Sequence, residues 1–262
     1  MRRLSRQEIG PCRSEILDIT ARSPDPYASV NYQIDIEACR QTAKAIGSAQ
    51  GRHILLTPVL IKLIAHAIEE NPRFKQIIFG GALYEIEDIH IANLVYIPDP
   101  EIITNVILKN PQQKTLADIQ QELFAAIAQA KLQFAAPPPP LVAVFTRLCT
   151  RYCLYRLVGQ RLSFKTIYER DLISNIILSV HTYATPANFT MVKDVIPTMN
   201  LTPRIHASGP FTKPVLDNGI LVSKEIIDLH VTTDHRIING IDSYHFGMSL
   251  EQIAASPEKY FA

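Results

Sequence analysis

A long strand is written into residues 220–233 of this 262-residue chain, and it lies between two turns of different kinds. Upstream, Asp217-Asn218-Gly219 predicts a tight hairpin, because asparagine and glycine accept the positive φ such turns require. Downstream, Ile226-Ile227-Asp228-Leu229-His230-Val231-Thr232-Thr233 feeds into Asp234-His235-Arg236-Ile237-Ile238-Asn239-Gly240, and a closing helix follows over Ile241 to Ala255. A histidine at a strand end, ahead of a glycine-containing turn, has its ring held by stiff backbone on one side. That suits a general base. Taken alone, however, a strand-end histidine is more often a structural residue.

The rest of the chain supplies the partners of that strand. Val30 to Ile36 alternates apolar and polar side chains, the period of a half-buried strand, and leads into a helix over Glu37 to Ile46. Thr57-Pro58 gives a cap and a first-turn proline. Leu60, Leu63, Ile64, Ala67 and Ile68 then recur at helical spacing until Asn71-Pro72 ends the pattern. Further strands are predicted at Gln76 to Phe79 and Ala82 to Ile86, joined through Gly80-Gly81, and at Ile89 to Ile97 and Ile102 to Leu108. A second long helix spans Lys114 to Lys131. The last third reads as strands at Ser174 to Val180, Arg204 to Ala207 and Lys213 to Leu216 ahead of the long one. Pro137 to Pro140 form a stiff connector into an inserted segment at about 137–165, in which Arg147, Arg151, Arg156 and Arg161 interrupt an apolar helix.

The motif and the order of these elements resemble the catalytic domain of the dihydrolipoyl acyltransferases of 2-oxo acid dehydrogenase complexes, relatives of chloramphenicol acetyltransferase. The shared signature is His-x-x-x-Asp-Gly, and here it stands as His235 to Gly240 with Asn239 in place of the aspartate. The likeness extends over Tyr32 to Ile36, Thr57 to Asn71, Asp88 to Ala92, Ile103 to Ile107 and Thr115 to Ile119. It implies an α/β fold of the chloramphenicol acetyltransferase type, a mixed and mostly antiparallel sheet flanked by helices. The expected organisation is one catalytic domain over 1–262, like the short stand-alone members, with no lipoyl or subunit-binding domain.

By the same resemblance the chain is a CoA-dependent acyltransferase, moving an acyl group from a CoA or carrier-protein thioester to a thiol, hydroxyl or amine. His235 is the general base and Asn239 orients a neighbour. Ser179 donates a hydrogen bond to the oxyanion, with Thr182 second and His181 at the rim as substrate-binding residues. No permanently bound cofactor is implied, CoA or acyl-CoA being a substrate. Homotrimers, or multiples of them, place each site between subunits. Asn105 and Leu108 replace the family's proline and arginine in what looks like the acceptor channel. The departures at Asn239, Asn105 and Leu108 motivate a second reading, a catalytically silent trimeric assembly module. The likeness to condensation domains of peptide synthetases motivates a third, a condensation-type enzyme forming esters or amides. Arg236 is expected in a structural ion pair.

Composition excludes several classes. With 47% hydrophobic and 19% charged residues, the chain suits a core burying about 70–75% of its unfolded surface. A net charge of +1 with no Lys/Arg run beyond a pair leaves no footprint for nucleic acid. No apolar run is long enough to span a membrane, and the N-terminal arginines precede no apolar stretch, so a cytoplasmic protein is expected. Contact of the Arg147, Arg151 and Arg156 face with a membrane surface is not favoured over a solvated face. The 4 cysteines lack the density of a disulfide scaffold, and the histidines lack metal-ligand spacing, so no metal is expected.

Overall fold

The computed structural model describes residues 2–10, 26–79, 82–98, 101–135, 176–181 and 203–261. At its centre is β9 (Ile220–Asp234), paired antiparallel with β2 (Tyr27–Asp35) on one side and β8 (Arg204–Asp217) on the other. Beyond β8, β7 (Ile176–His181) and β5 (His90–Pro98) continue in parallel, and β6 (Glu101–Lys109) pairs antiparallel with β5. The result is a 6-stranded sheet of order β2-β9-β8-β7-β5-β6. It is mixed and mostly antiparallel, as the sequence predicts.

Alternation decides which face of that sheet is apolar, although β9 is buried on both faces from Ile226 to Asp234. Ile227, Leu229 and Val231 of β9 join Ile34, Ile205, Ala207, Ile91, Val106 and Leu108 in one apolar cluster with the helices. The intervening Asp228, His230 and Thr232 are polar. Three helices build the covering layer: α2 (Glu37–Ala49), α3 (Leu56–Glu70) and α5 (Gly240–Ala255), with α4 (Leu116–Ala135) packed on α3 and β6. On α3, Leu60, Leu63, Ile64, Ala67 and Ile68 are all fully buried, at about 1.5–3 kcal/mol each for the large aliphatic ones. Close approach of α5 to β2 depends on Gly247, where an added Cβ would meet the Tyr32 ring at 2.8 Å.

Two predicted strands prove to be one. Arg204 to Ala207 and Lys213 to Leu216 form a single bent strand, because Gly209-Pro210 makes an irregularity in register between Ser208 and Phe211 and does not end the ladder. Gly209 has a φ of 110°, a conformation that only glycine adopts readily. The hairpin at Asp217 to Gly219 forms as expected, with φ of 49° at Asn218 and 83° at Gly219. A smaller 3-stranded sheet contains the β3 (Gln76–Phe79) and β4 (Ala82–Glu85) hairpin plus β1 (Arg2–Arg3). That β1 and the short α1 (Arg6–Ile9) form in a stretch that reads as a polar lead-in. Leu108 is fully buried in the apolar cluster, so it lines no acceptor channel. The proposed insertion at 137–165 and Thr182 lie outside the described residues, as do the side chains of Ser179, His181 and Asn105.

Candidate functional site

His235 is the first residue after β9. Its backbone N–H donates to the carbonyl of Pro26 at 2.7 Å, which fastens the turn to the start of β2. The chain then folds back on itself, with the N–H groups of Ile237 and Ile238 both donating to the Asp234 carbonyl at 2.9 Å. Ile237 and Ile238 are buried beneath the turn and anchor it.

Charge in the motif is sorted onto its inner side. The buried Asp234 carboxylate accepts from the Arg236 backbone N–H at 3.0 Å, from Arg236 Nε at 2.9 and 3.1 Å, and from Nη2 at 2.5 Å. Hydrogen bonding to Asp234 raises the Arg236 guanidinium above its ordinary value, and burial only partly opposes this. The pair is structural, as the resemblance implies.

The His235 ring faces the other way and is exposed. Its Nδ1 lies 2.9 Å from the carbonyl oxygen of Ile238, three residues on. A carbonyl accepts and never donates, so a neutral ring making this bond carries its proton on Nδ1 and presents an unprotonated Nε2 outward. That tautomer is the one a general base needs.

Asn239 ends the turn as the N-cap of α5. Its Oδ1 accepts from the Asp242 N–H at 2.9 Å, and Asp242 Oδ2 accepts from the Asn239 N–H at 3.1 Å. Both halves of a capping box are present, each satisfying a backbone donor the helix start would otherwise leave open. Arg73 in turn donates to Asp242 Oδ1. Sequence reading missed Asp242 and Arg73. The Asn239-x-x-Asp242 spacing is itself a cap signature that could have revealed the first. Nothing local marks the second, which comes from the short 3₁₀ turn after α3.

One chain does not bring all the predicted residues together. Ser179 pairs in register with His206 of β8 and Leu94 of β5, and His206 pairs with His230 of β9. Two strand spacings across and five residues along the sheet, Ser179 is roughly 20 Å from His235. An open cavity of about 820 Å³, lined by Arg40, Lys44, His53, Leu55, Pro210 and Glu225, is also remote. Glu225 is ten residues up β9 from His235, or roughly 33 Å along the strand. Cys39 offers no rival nucleophile, since burial pushes its thiol up to about 12. Among the described residues no cluster of His, Cys, Asp and Glu suited to a metal is present, and no helix is long and apolar enough to cross a membrane.

No protein-family model matches this chain, and no curated protein matches it significantly. Solved structures do. The cubic core of a pyruvate dehydrogenase multienzyme complex aligns with 95% of this chain and 89% of its own, at 19% identity and a TM-score of 0.65. Dihydrolipoamide acetyltransferase from Azotobacter vinelandii aligns over 95% and 89%, at 19% identity and a TM-score of 0.62. In the catalytic mechanism of that enzyme the roles of a serine, a histidine and an asparagine have been investigated, the last two four positions apart. A chloramphenicol acetyltransferase aligns over 97% of this chain and 99% of its own, at 16% identity and a TM-score of 0.59. The fold of this chain is therefore the one shared by chloramphenicol acetyltransferase and the dihydrolipoamide acetyltransferase cores.

Proposed function

We propose that this protein is an acyltransferase that uses a thioester donor, with His235 as its general base. The observation that carries the reading is the Nδ1 contact to the Ile238 carbonyl at 2.9 Å, which leaves Nε2 as the outward lone pair. The spacing supports it too: His235 and Asn239 are four residues apart, as are the histidine and asparagine investigated in the Azotobacter vinelandii enzyme.

In the proposed reaction Nε2 takes the proton of an acceptor thiol, hydroxyl or amine as that atom attacks the thioester carbonyl. The tetrahedral oxyanion accepts a hydrogen bond from Ser179, or from Thr182, and collapses by breaking the carbon–sulfur bond. The departing thiolate, that of CoA or a carrier arm, recovers the proton from the imidazolium. Acyl-CoA is thus the substrate and free CoA a product, and the separation of Ser179 from His235 favours a trimer in which they meet across a subunit boundary.

Release of free CoA thiol from a panel of acyl-CoAs, with several candidate acceptors, tests the proposal. Replacing His235 by Ala is expected to lower turnover by about 10²–10⁴-fold. Undiminished turnover in that variant removes His235 from the mechanism, and silence of the wild-type protein across the panel favours the assembly module.

A further inference from the structure

The peptide unit joining Ile238 to Asn239 is held at both ends. Its carbonyl accepts from His235 Nδ1 at 2.9 Å, and its N–H donates to Asp242 Oδ2 at 3.1 Å. In a trans peptide these two groups point in opposite directions, so the plane stands between the ring and the carboxylate. We infer that Asp242 is a positioning residue for His235, acting through this peptide. The inference rests on the acyltransferase reading for its purpose, though not for its geometry.

The argument is electrostatic. A carboxylate on the N–H pulls the proton outward and pushes electron density back through the peptide onto the carbonyl oxygen, because hydrogen bonds in series polarise one another, by about 10–30% per bond. An enriched carbonyl oxygen is a better acceptor for Nδ1–H. It therefore favours the Nδ1–H tautomer of the neutral ring and stabilises the imidazolium formed when Nε2 takes a proton. In serine hydrolases the orienting carboxylate touches the imidazole directly. Here a single peptide plane is interposed.

The surroundings fit this role. Asp242 is 9% exposed, its other oxygen accepts from Arg73, and the return bond from its backbone N–H to Asn239 Oδ1 fixes the register of the turn. Asn239 thereby gains a part in the site without touching the ring, since it locks the carboxylate against the peptide that His235 uses.

Two variants separate charge from capping. Asp242→Asn keeps an oxygen able to accept from the Asn239 N–H but removes the charge. Asp242→Glu keeps a carboxylate at the position where glutamate is favoured in capping boxes. Nitrogen-15 NMR of the ring, assigned by comparison with His235→Gln, reads the tautomer directly. We expect Nδ1–H to predominate in the wild type, to fall in Asp242→Asn, and to be restored in Asp242→Glu. With acetyl-CoA as donor, Asp242→Asn should lower kcat, by less than the roughly 10²–10⁴-fold that loss of the base itself costs, with KM unchanged. An Nε2–H ring in the wild type overturns the inference, and so does an unchanged tautomer ratio in a folded Asp242→Asn. If Asp242→Asn does not fold, Asp242→Ser replaces it as the neutral capping residue. Failure of both to fold makes Asp242 a residue of the fold alone. If wild-type protein turns over no acyl-CoA, the functional proposal fails, while the tautomer measurement still decides this inference.

Discussion

Asp234 and His235 are adjacent, yet they face opposite environments. The carboxylate is buried against the Arg236 guanidinium, while the imidazole is exposed. Removing one partner of a buried pair leaves an uncompensated charge, which typically costs about 3–5 kcal/mol. Arg236→Met should therefore lower the free energy of unfolding in urea by about that amount. A loss below about 1 kcal/mol would show that the backbone N–H suffices for Asp234. At this scale sequence located the turn and the pair, because both lie within seven consecutive residues. It could not show that His235 reaches forward to the Ile238 carbonyl, since that depends on the curl of the turn. The Asn239-x-x-Asp242 spacing does carry a cap signature, but not the link from that cap through the Ile238–Asn239 peptide to the ring.

Elements with a regular period were the legible ones. Alternation marked β2 and the stripe Leu60 to Ile68 marked α3, because burial on one side imposes its period on the sequence, while the turns on either side marked β9. The bend in β8 was not legible: Gly209-Pro210 looks the same whether a chain turns away or bulges within a ladder. Contacts between distant elements were equally silent. On α3, His66 Nε2 lies 3.0 Å from the Tyr260 carbonyl, 194 residues away, with the two rings edge to face at 5.2 Å. Burial lowers the His66 pKa and nearby Lys62 adds to this, while the Tyr260 carbonyl, Glu69 and Glu70 oppose them. A histidine whose folded pKa lies below its unfolded value binds fewer protons when folded, so stability rises with pH across that interval. The contribution is fully present above the unfolded value of 6.5 and is lost as pH falls toward the lower folded value. Wild-type protein should thus lose stability on passing from about pH 7 to about pH 5, and His66→Gln should lose measurably less. Chemical denaturation at each pH provides the comparison, and parallel losses in the two proteins would refute it.

The molecule as a whole raises the question of how the proposed base and the proposed oxyanion donor, roughly 20 Å apart in one chain, could serve one reaction. On the proposed trimeric reading the chain supplies His235 to one neighbour and Ser179 to the other, a heterologous contact that closes into a ring. The tip of the β8–β9 hairpin is in keeping with assembly, since Leu216, Ile220 and Leu221 are 74%, 66% and 71% exposed. Overall architecture was accessible from sequence because the order of elements carried it. A homotrimer entered only as what the resemblance implies, because assembly depends on surfaces that no periodicity records. Complementation distinguishes a shared site from a site within one chain. His235→Ala and Ser179→Ala proteins, each inactive alone, are unfolded together, refolded as a mixture and assayed for thiol release. In a ring, a boundary that takes its histidine from a Ser179→Ala chain and its serine from a His235→Ala chain is intact. With random mixing, on the order of a quarter of the sites recover. If both residues serve within one chain, no mixture regains activity. Thr182→Ala replaces Ser179→Ala if the serine variant remains active, because the hydroxyl at 182 is the alternative donor.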